Sequence, residues 1–272
     1  GGAASDGRGG STVGGLVAVN QGAISKSWAS GGVSGGGNGG GLVGFNSPTG
    51  SISQSYATGS VSGNSFYGYG GLVGTNEGTI TQSYAMGSVS GTYPTVSVGG
   101  LVGANYSSVS ESYATGAVVQ GGLIGGLLGY NAGSVSNSYW NINTTGRSTS
   151  AGGTGLTTAQ MRTQSNFSSW DFTNTWIGYD GFTNPLLRSF MTPLTVTANY
   201  ATKTYDGQAY SGGNGVTYSS TPNANLLGTV SYSGTSQGAT NAGGYVITPG
   251  GLYSNQQGYI ISYVDGTLWV YP

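Results

Sequence analysis

The sequence predicts an all-β solenoid, a stack of short β-coils, and three observations lead there. A phrase reading Gly-Gly-Leu-Val-(Gly/Ala)-x-Asn, then a turn, then (Ile/Val)-Ser-x-Ser-Tyr-Ala-x-Gly-x-Val returns five times between Gly14 and Trp140. Its leucines are Leu16, Leu42, Leu72, Leu101 and Leu127, 26 to 30 residues apart. Each period holds short β-favouring runs cut by glycine and no 3.6-residue apolar spacing, which excludes helical repeats. A unit this small cannot bury its own apolar face, but copies stacked roughly 4.8 Å apart can.

Stacking predicts columns of like residues. Leucine fills its column throughout, and the next column reads Val17, Val43, Val73, Val102 and Leu128. Asn20, Asn46, Asn76, Asn105 and Asn131 form an unbroken asparagine column, suited to amide-to-amide hydrogen bonding between coils. Ser27, Ser55, Ser83, Ser112 and Ser138 form a second polar ladder. Lys26, Gln54, Gln82, Glu111 and Asn137 share a position that belongs in water. Strict alternation around it would turn Ile24, Trp28 and their equivalents outward, whereas a bend would send them to the core. The aromatic column Trp28, Tyr56, Tyr84, Tyr113 and Tyr139 is therefore either packing or a ladder of exposed rings.

Residues 1–13 read as the end of an earlier, degenerate coil. The turns between coils vary, as at Gly31 to Gly41 and Asn64 to Tyr69, and variable turns on one rim are where recognition concentrates. Phe66, Tyr67, Tyr69 and Tyr93 lie on such turns, either folded over the coil edge or free to meet a ligand. The repeat unit spans 1–140. Residues 141–191 are expected to cap and link, because a last coil exposes apolar side chains and open strand edges. Thr157 and Gln160 fit a capping box for a short helix, and Phe167, Trp170, Phe172, Trp176 and Phe182 supply large apolar cover or, alternatively, an aromatic cleft. From Thr192, with Pro193 as a hinge, alternating segments at 194–198, 228–233, 245–248, 259–263 and 267–271 predict a small β domain over 192–272. Tyr271-Pro272 repeats Thr192-Pro193, and the chain opens on Gly-Gly without a signal segment, so a piece of a longer array is expected.

Composition narrows the chemistry. The 272 residues contain no cysteine and no histidine, which removes thiolate nucleophiles, disulfides, the commonest general base and the commonest transition-metal ligand. Six basic residues are scattered and the net charge is −1, so no nucleic-acid surface is expected. No apolar run is long enough to span a membrane. With 56 glycines the chain could be thought disordered, but 36% hydrophobic and 11% aromatic residues recurring in register argue for order. Glu77 and Glu111 sit in different columns, Asp171, Asp180, Asp206 and Asp265 are dispersed, and no Asp-rich loop exists. No catalytic residue, cofactor or metal site is expected.

The phrases Gly41 to Gly44, Gly71 to Gly74 and Gly100 to Gly103, with Gly126 to Gly129, resemble the GLUG motif of large bacterial surface proteins. Tyr205-Asp206-Gly207, with Lys203 before it and Asn241 to Tyr245 and Val264 to Leu268 after it, resembles the YDG domain of the MBG group. Together they are similar to filamentous-haemagglutinin-like adhesins of two-partner secretion, some of them biofilm-matrix proteins that bind exopolysaccharide. The resemblance implies a right-handed parallel β-helix, a C-terminal β-grasp-like YDG/MBG domain, a location at the bacterial cell surface or in the biofilm matrix, and export through an outer-membrane transporter that engages parts of the parent outside this chain. The expected activity is non-catalytic: a rigid stalk and adhesive surface contacting exopolysaccharide or cell-surface glycan, with Trp28, Tyr56, Tyr84, Tyr113, Tyr67, Tyr69 and Tyr93 as candidate contacts. A pure spacer, or an accessory module of a polysaccharide-active enzyme, is the alternative.

Overall fold

The structure, a computed structural model, describes residues 3–5 and 11–272. It is all-β, with a parallel solenoid of about five turns ahead of a C-terminal β domain. The chain divides into two compact units, 1–175 and 176–272.

Each of the first four coils is a ring of five short strands, and the fifth has four. In the third they are Gly68–Gly70, Val73–Asn76, Thr79–Thr81, Tyr84–Ala85 and Val89–Gly91. Every strand pairs in parallel with its equivalents above and below, so Val73 stands opposite Val43 and Val102, Ile80 opposite Ile52 and Val109, and Tyr84 opposite Tyr56 and Tyr113. Two apolar cores run up the axis. One holds Leu42, Leu72, Leu101 and Leu127 with the valine, isoleucine and alanine columns, and the other holds Val33, Val61, Val89 and Val118 with Tyr69, Val96 and Val98. Leu16, in the first coil, is 43% exposed because no equivalent coil lies over it among the described residues, while its four counterparts are fully buried. Of residues 1–13, read as the end of an earlier coil, 1–2 and 6–10 lie outside the described residues. Ala3–Ser5 pairs antiparallel with Ser11–Gly14, which departs from the parallel stack.

The repeated phrase can now be spelled out physically. A Cβ on the first glycine of the Gly-Gly pair would lie 1.9 Å from the Val43 carbonyl oxygen at Gly40 and 2.0 Å from that of Val73 at Gly70. Only glycine closes this corner. The asparagine amides form a continuous chain, each Nδ2 donating to the Oδ1 of the next coil at 2.8 Å, from Asn20 through Asn46, Asn76 and Asn105 to Asn131. The serine ladder works differently. Each serine N–H donates to the Oγ of the serine one coil on, at 3.1 to 3.2 Å, while that Oγ donates to a carbonyl two residues back in its own coil.

The serines are required because the residue before them leaves the β region. Lys26, Gln54, Gln82, Glu111 and Asn137 all take positive φ, between 45° and 50°. A left-handed residue turns the chain sharply, and the bend alternative is therefore the one adopted: Ile52 and Ile80 before it, and Tyr56 and Tyr84 after it, are all buried. The polar side chains of this column stack outside, Gln54 Nε2 donating to Gln82 Oε1 and Gln82 Nε2 to Glu111 Oε2 at 3.0 Å.

Residues 141–175 close the far end. Trp140 stands where earlier coils have alanine, opposite Ala114, and fills the last coil's interior, its Nε1 donating to the Arg147 carbonyl at 2.8 Å. The Arg147 guanidinium donates at 2.8 Å to the carbonyls of Val118 and Val119, in place of a next strand. Ser150 Oγ accepts the N–H groups of Leu127 and Leu128. Thr154–Leu156 adds a sixth strand beside Tyr139–Asn141. The helix Thr158–Met161 carries the expected capping box between Thr157 and Gln160, and a further single turn, Ile142–Thr145, is capped by Asn141.

Residues 176–191, expected with the cap, belong instead to the second unit, where Ile177, Leu186 and Met191 pack with Tyr179 and Ile260. Pro193 is not a hinge. It lies in the strand Thr192–Ala198, opposite Ile260, and the antiparallel neighbour Val216–Tyr218 reaches only Val196 to Ala198, so proline's missing N–H is tolerated. A second sheet orders Ala201–Thr204, Gly266–Tyr271, Gly243–Ser254 and Leu226–Ser233. The five segments expected as strands all fall in strands, and the described residues 192–272 contain no helix.

Two stability predictions follow from the ladders. Asn76→Ala leaves the Asn46 Nδ2 and Asn105 Oδ1 without their buried partners and lowers the unfolding free energy by about 2–4 kcal/mol, whereas the exposed Thr79→Ala changes it by less than about 0.5 kcal/mol, as read by denaturant titration. Lys26→Asn, which puts at an exposed left-handed position the residue already found at Asn137, raises stability by about 0.5–1 kcal/mol in the same assay.

Candidate functional site

The aromatic column resolves into a stack with one open end. Trp28 and Tyr56 lie 5.7 Å apart and 7° from parallel, Tyr56 and Tyr84 4.9 Å and 4°, Tyr84 and Tyr113 4.8 Å and 5°. Trp170 then stacks on Tyr113 at 6.2 Å, its Nε1 held by the Asn137 carbonyl, and Phe167 meets Tyr139 edge-on. Tyr56, Tyr84 and Tyr113 are 3%, 0% and 1% exposed, so they offer no ring face to a ligand; Trp28 is 44% exposed and Tyr139, under Phe167 and Trp170, is half-buried. The left-handed residue two positions before each ring turns the strand, and the rings stacked on both sides of Tyr56, Tyr84 and Tyr113 complete their cover. Burial pushes the Tyr84 and Tyr113 hydroxyls well above the ordinary phenol value, and Tyr113 and Tyr56 push Tyr84 further.

Tyr69 is also core, contrary to its candidacy as a contact. It enters the valine core fully buried, at a level where Gly39 and Gly63 leave room: a Cβ on Gly63 would lie 2.2 Å from its hydroxyl. That hydroxyl donates to the Gly35 carbonyl at 3.0 Å and accepts from the Ser65 N–H at 3.1 Å. The turn from Asn64 to Tyr69 thus splits: Tyr69 anchors it inside, while Phe66 and Tyr67 stay outside.

Those two residues form one wall of a groove of about 250 Å³ lined by Phe66, Tyr67, Gly68, Thr75, Ser97, Ala104 and Tyr106. Phe66 and Tyr67 stack at 4.4 Å, and Tyr93 meets Phe66 edge-on at 6.0 Å. Across the groove Tyr106, half-exposed, is followed one coil on by Tyr130, their rings 5.6 Å apart. The floor is polar and rigid: Thr75 Oγ1 donates at 2.6 Å to the buried Asn38 Oδ1, which also accepts the Gly68 N–H. No ionised side chain lines it. Of the aromatic residues picked from sequence, the structure brings Tyr67 to this groove and Tyr93 to its edge, and places Trp28 elsewhere. Thr75, Ser97, Ala104 and Tyr106 were missed; the one available signal was the aromatic pair Tyr106 and Tyr130, one on either side of the Asn column in successive coils.

Among the described residues, no group of three or more acidic residues is placed to hold a metal ion, and no helix is long and apolar enough to cross a membrane. In the second unit the Tyr205-Asp206-Gly207 turn is clamped by Lys203, whose Nζ reaches Asp206 Oδ1 at 2.5 Å and also the Gln208 carbonyl. Gly207 supplies the positive φ that the turn requires.

The tyrosine column yields a pH prediction. An unfolded tyrosine ionises near pH 10 and buried Tyr84 and Tyr113 above it, so their contribution to stability is intact below about pH 10 and is lost as pH climbs beyond it. Alkaline absorbance titration should show a protected set of tyrosines, Tyr84 and Tyr113 among them, that ionises only as the β circular dichroism collapses.

Residues 194–269 match the family described as MBG domain (YGX type), and residues 95–119, the fourth coil, match the GLUG motif. No curated protein matches the chain. Domains of these two kinds are typically non-catalytic. The two matches on a β-solenoid fit an adhesin-like repeat protein, consistent with an adhesin-like or structural extracellular module.

Proposed function

We propose that this chain is part of a filamentous-haemagglutinin-like adhesin displayed outside a bacterial cell, exported by two-partner secretion through a transporter that engages other parts of the parent. The solenoid serves as a rigid stalk, and the groove between Phe66, Tyr67 and Tyr106 contacts exopolysaccharide or cell-surface glycan. The observation that carries this reading is the groove's chemistry. A pyranose ring has C–H faces that suit the negative faces of aromatic rings and hydroxyls that suit polar groups such as Thr75 and Ser97. The volume admits about one sugar unit. With no ionised group in the lining, a neutral sugar is favoured over a sialylated or uronate one. Because Tyr69 and the asparagine ladder fix the backbone beneath, the walls are held in place before any ligand arrives.

The test is direct. The chain is screened against immobilised neutral polysaccharides, beside a Phe66→Ala/Tyr106→Ala variant. Loss of at least tenfold in affinity with an unchanged melting temperature is expected, since both side chains are largely exposed. A wild-type chain that binds no polysaccharide would leave the spacer role alone.

A further inference from the structure

The second unit carries an aromatic surface that the groove does not account for. In the strand Gly266–Tyr271, Leu268 and Val270 are buried, so alternation turns Trp269 and Tyr271 out to the other face of the sheet, 43% and 46% exposed. Trp269 is paired on one side with Thr202 and on the other with Gly244. A Cβ on Gly244 would lie 2.5 Å from Trp269 Cζ3 and 2.8 Å from Cε3. The six-membered ring of the indole therefore lies beside the bare glycine backbone, and the side chain stays part-exposed to solvent. Thr202 and Thr204 are exposed on the adjacent strand, and Tyr271 stands edge-on to the indole at 6.5 Å with its hydroxyl 3.4 Å from that of Tyr200. The surface carries no charge of its own: Lys203, between the two threonines, faces the opposite side of the sheet and is held by Asp206 and the Gln208 carbonyl.

We infer that Trp269 is a second saccharide-stacking site, taking the C–H face of a neutral pyranose, with Thr202, Thr204 and the Tyr200–Tyr271 hydroxyls beside it to meet the sugar's own. The exposed indole offers ring surface whose negative quadrupole attracts the weakly positive C–H groups of such a sugar. An acidic polymer would find no cation there. The site shares its ligand class with the groove but stands on separate residues. The two can hold or fail independently.

The experiment uses the whole chain and soluble β-1,4-linked hexasaccharides of glucose or N-acetylglucosamine. The indole N–H resonance of Trp269, identified by its absence in Trp269→Phe, should shift on titration in both the wild type and the Phe66→Ala/Tyr106→Ala background. Trp269→Ala should lower binding in that background at least tenfold. Trp269→Leu, which still covers Gly244 but offers no ring face, should match the alanine variant in binding while keeping the wild-type melting temperature. The inference is overturned if the Trp269 resonance does not move, if Trp269→Leu binds as the wild type does, or if sedimentation shows that the chain self-associates through Trp269, which would make the surface a contact between copies. Binding abolished by the groove substitutions alone leaves the groove and removes this site; binding sensitive only to Trp269 does the reverse.

Discussion

Vertical registry between coils is the constraint on which the rest of this molecule depends. Each Asn20-to-Asn131 amide is buried or half-buried and finds its partner one coil away, at the same 2.8 Å in all four steps. A buried amide left unpaired is expensive, so a slip of one residue in any coil would strand the whole column. The same registry explains why so few residue types suffice. Whatever sits at a column position must tolerate its own copies above and below, which favours leucine, valine, alanine, serine and asparagine and forces glycine at the corners. Where the column changes type, a neighbour compensates: Tyr69 fills its level of the valine core because Gly39 and Gly63 do not.

The left-handed column deserves separate weight because it changes what the aromatic residues are for. Lysine, glutamine and glutamate are unusual at positive φ, yet four of the five equivalent positions hold one of them. Their side chains lie along the outside of the stack, where glutamines and a glutamate hydrogen-bond in sequence, and the serine beside each repairs the backbone ladder that the bend interrupts. The local strain is met by side-chain bonds that exist only when coils are stacked. Tertiary structure overrides residue preference here, and the result is a buried stack of tyrosines in place of an exposed one.

Much of the fold was legible because it is written five times. The leucine, valine, asparagine and serine columns, the capping box at Thr157 and Gln160, and the C-terminal strands can each be read from residue type and spacing. The fate of Tyr56, Tyr84 and Tyr113 could not, since it turns on the backbone sign at Gln54, Gln82 and Glu111, where residue type gives no hint. Tyr69 was indistinguishable from Tyr67 in sequence; only the empty space over two glycines separates them. The groove was legible in part. Tyr67 and Tyr93 lie on a variable turn and could be found, but Thr75, Ala104 and Tyr106 come from positions that change from coil to coil, and their convergence is a product of the stack. Pro193 misled in the ordinary way, because a proline with one unpaired side can sit inside a strand.

The closure of the last coil by Trp140, Arg147 and Ser150 has a mechanical corollary. Hydrogen bonds between coils run along the solenoid axis, so a pull along that axis loads them tier by tier and does not shear them together. A tier that gives way releases roughly 28 residues, about 95 Å of extended chain, while its neighbours stay folded. The guanidinium clasp on the Val118 and Val119 carbonyls holds the final tier, where no further turn exists to share the load. A rod built this way yields in discrete steps, lengthening under tension before it lets go.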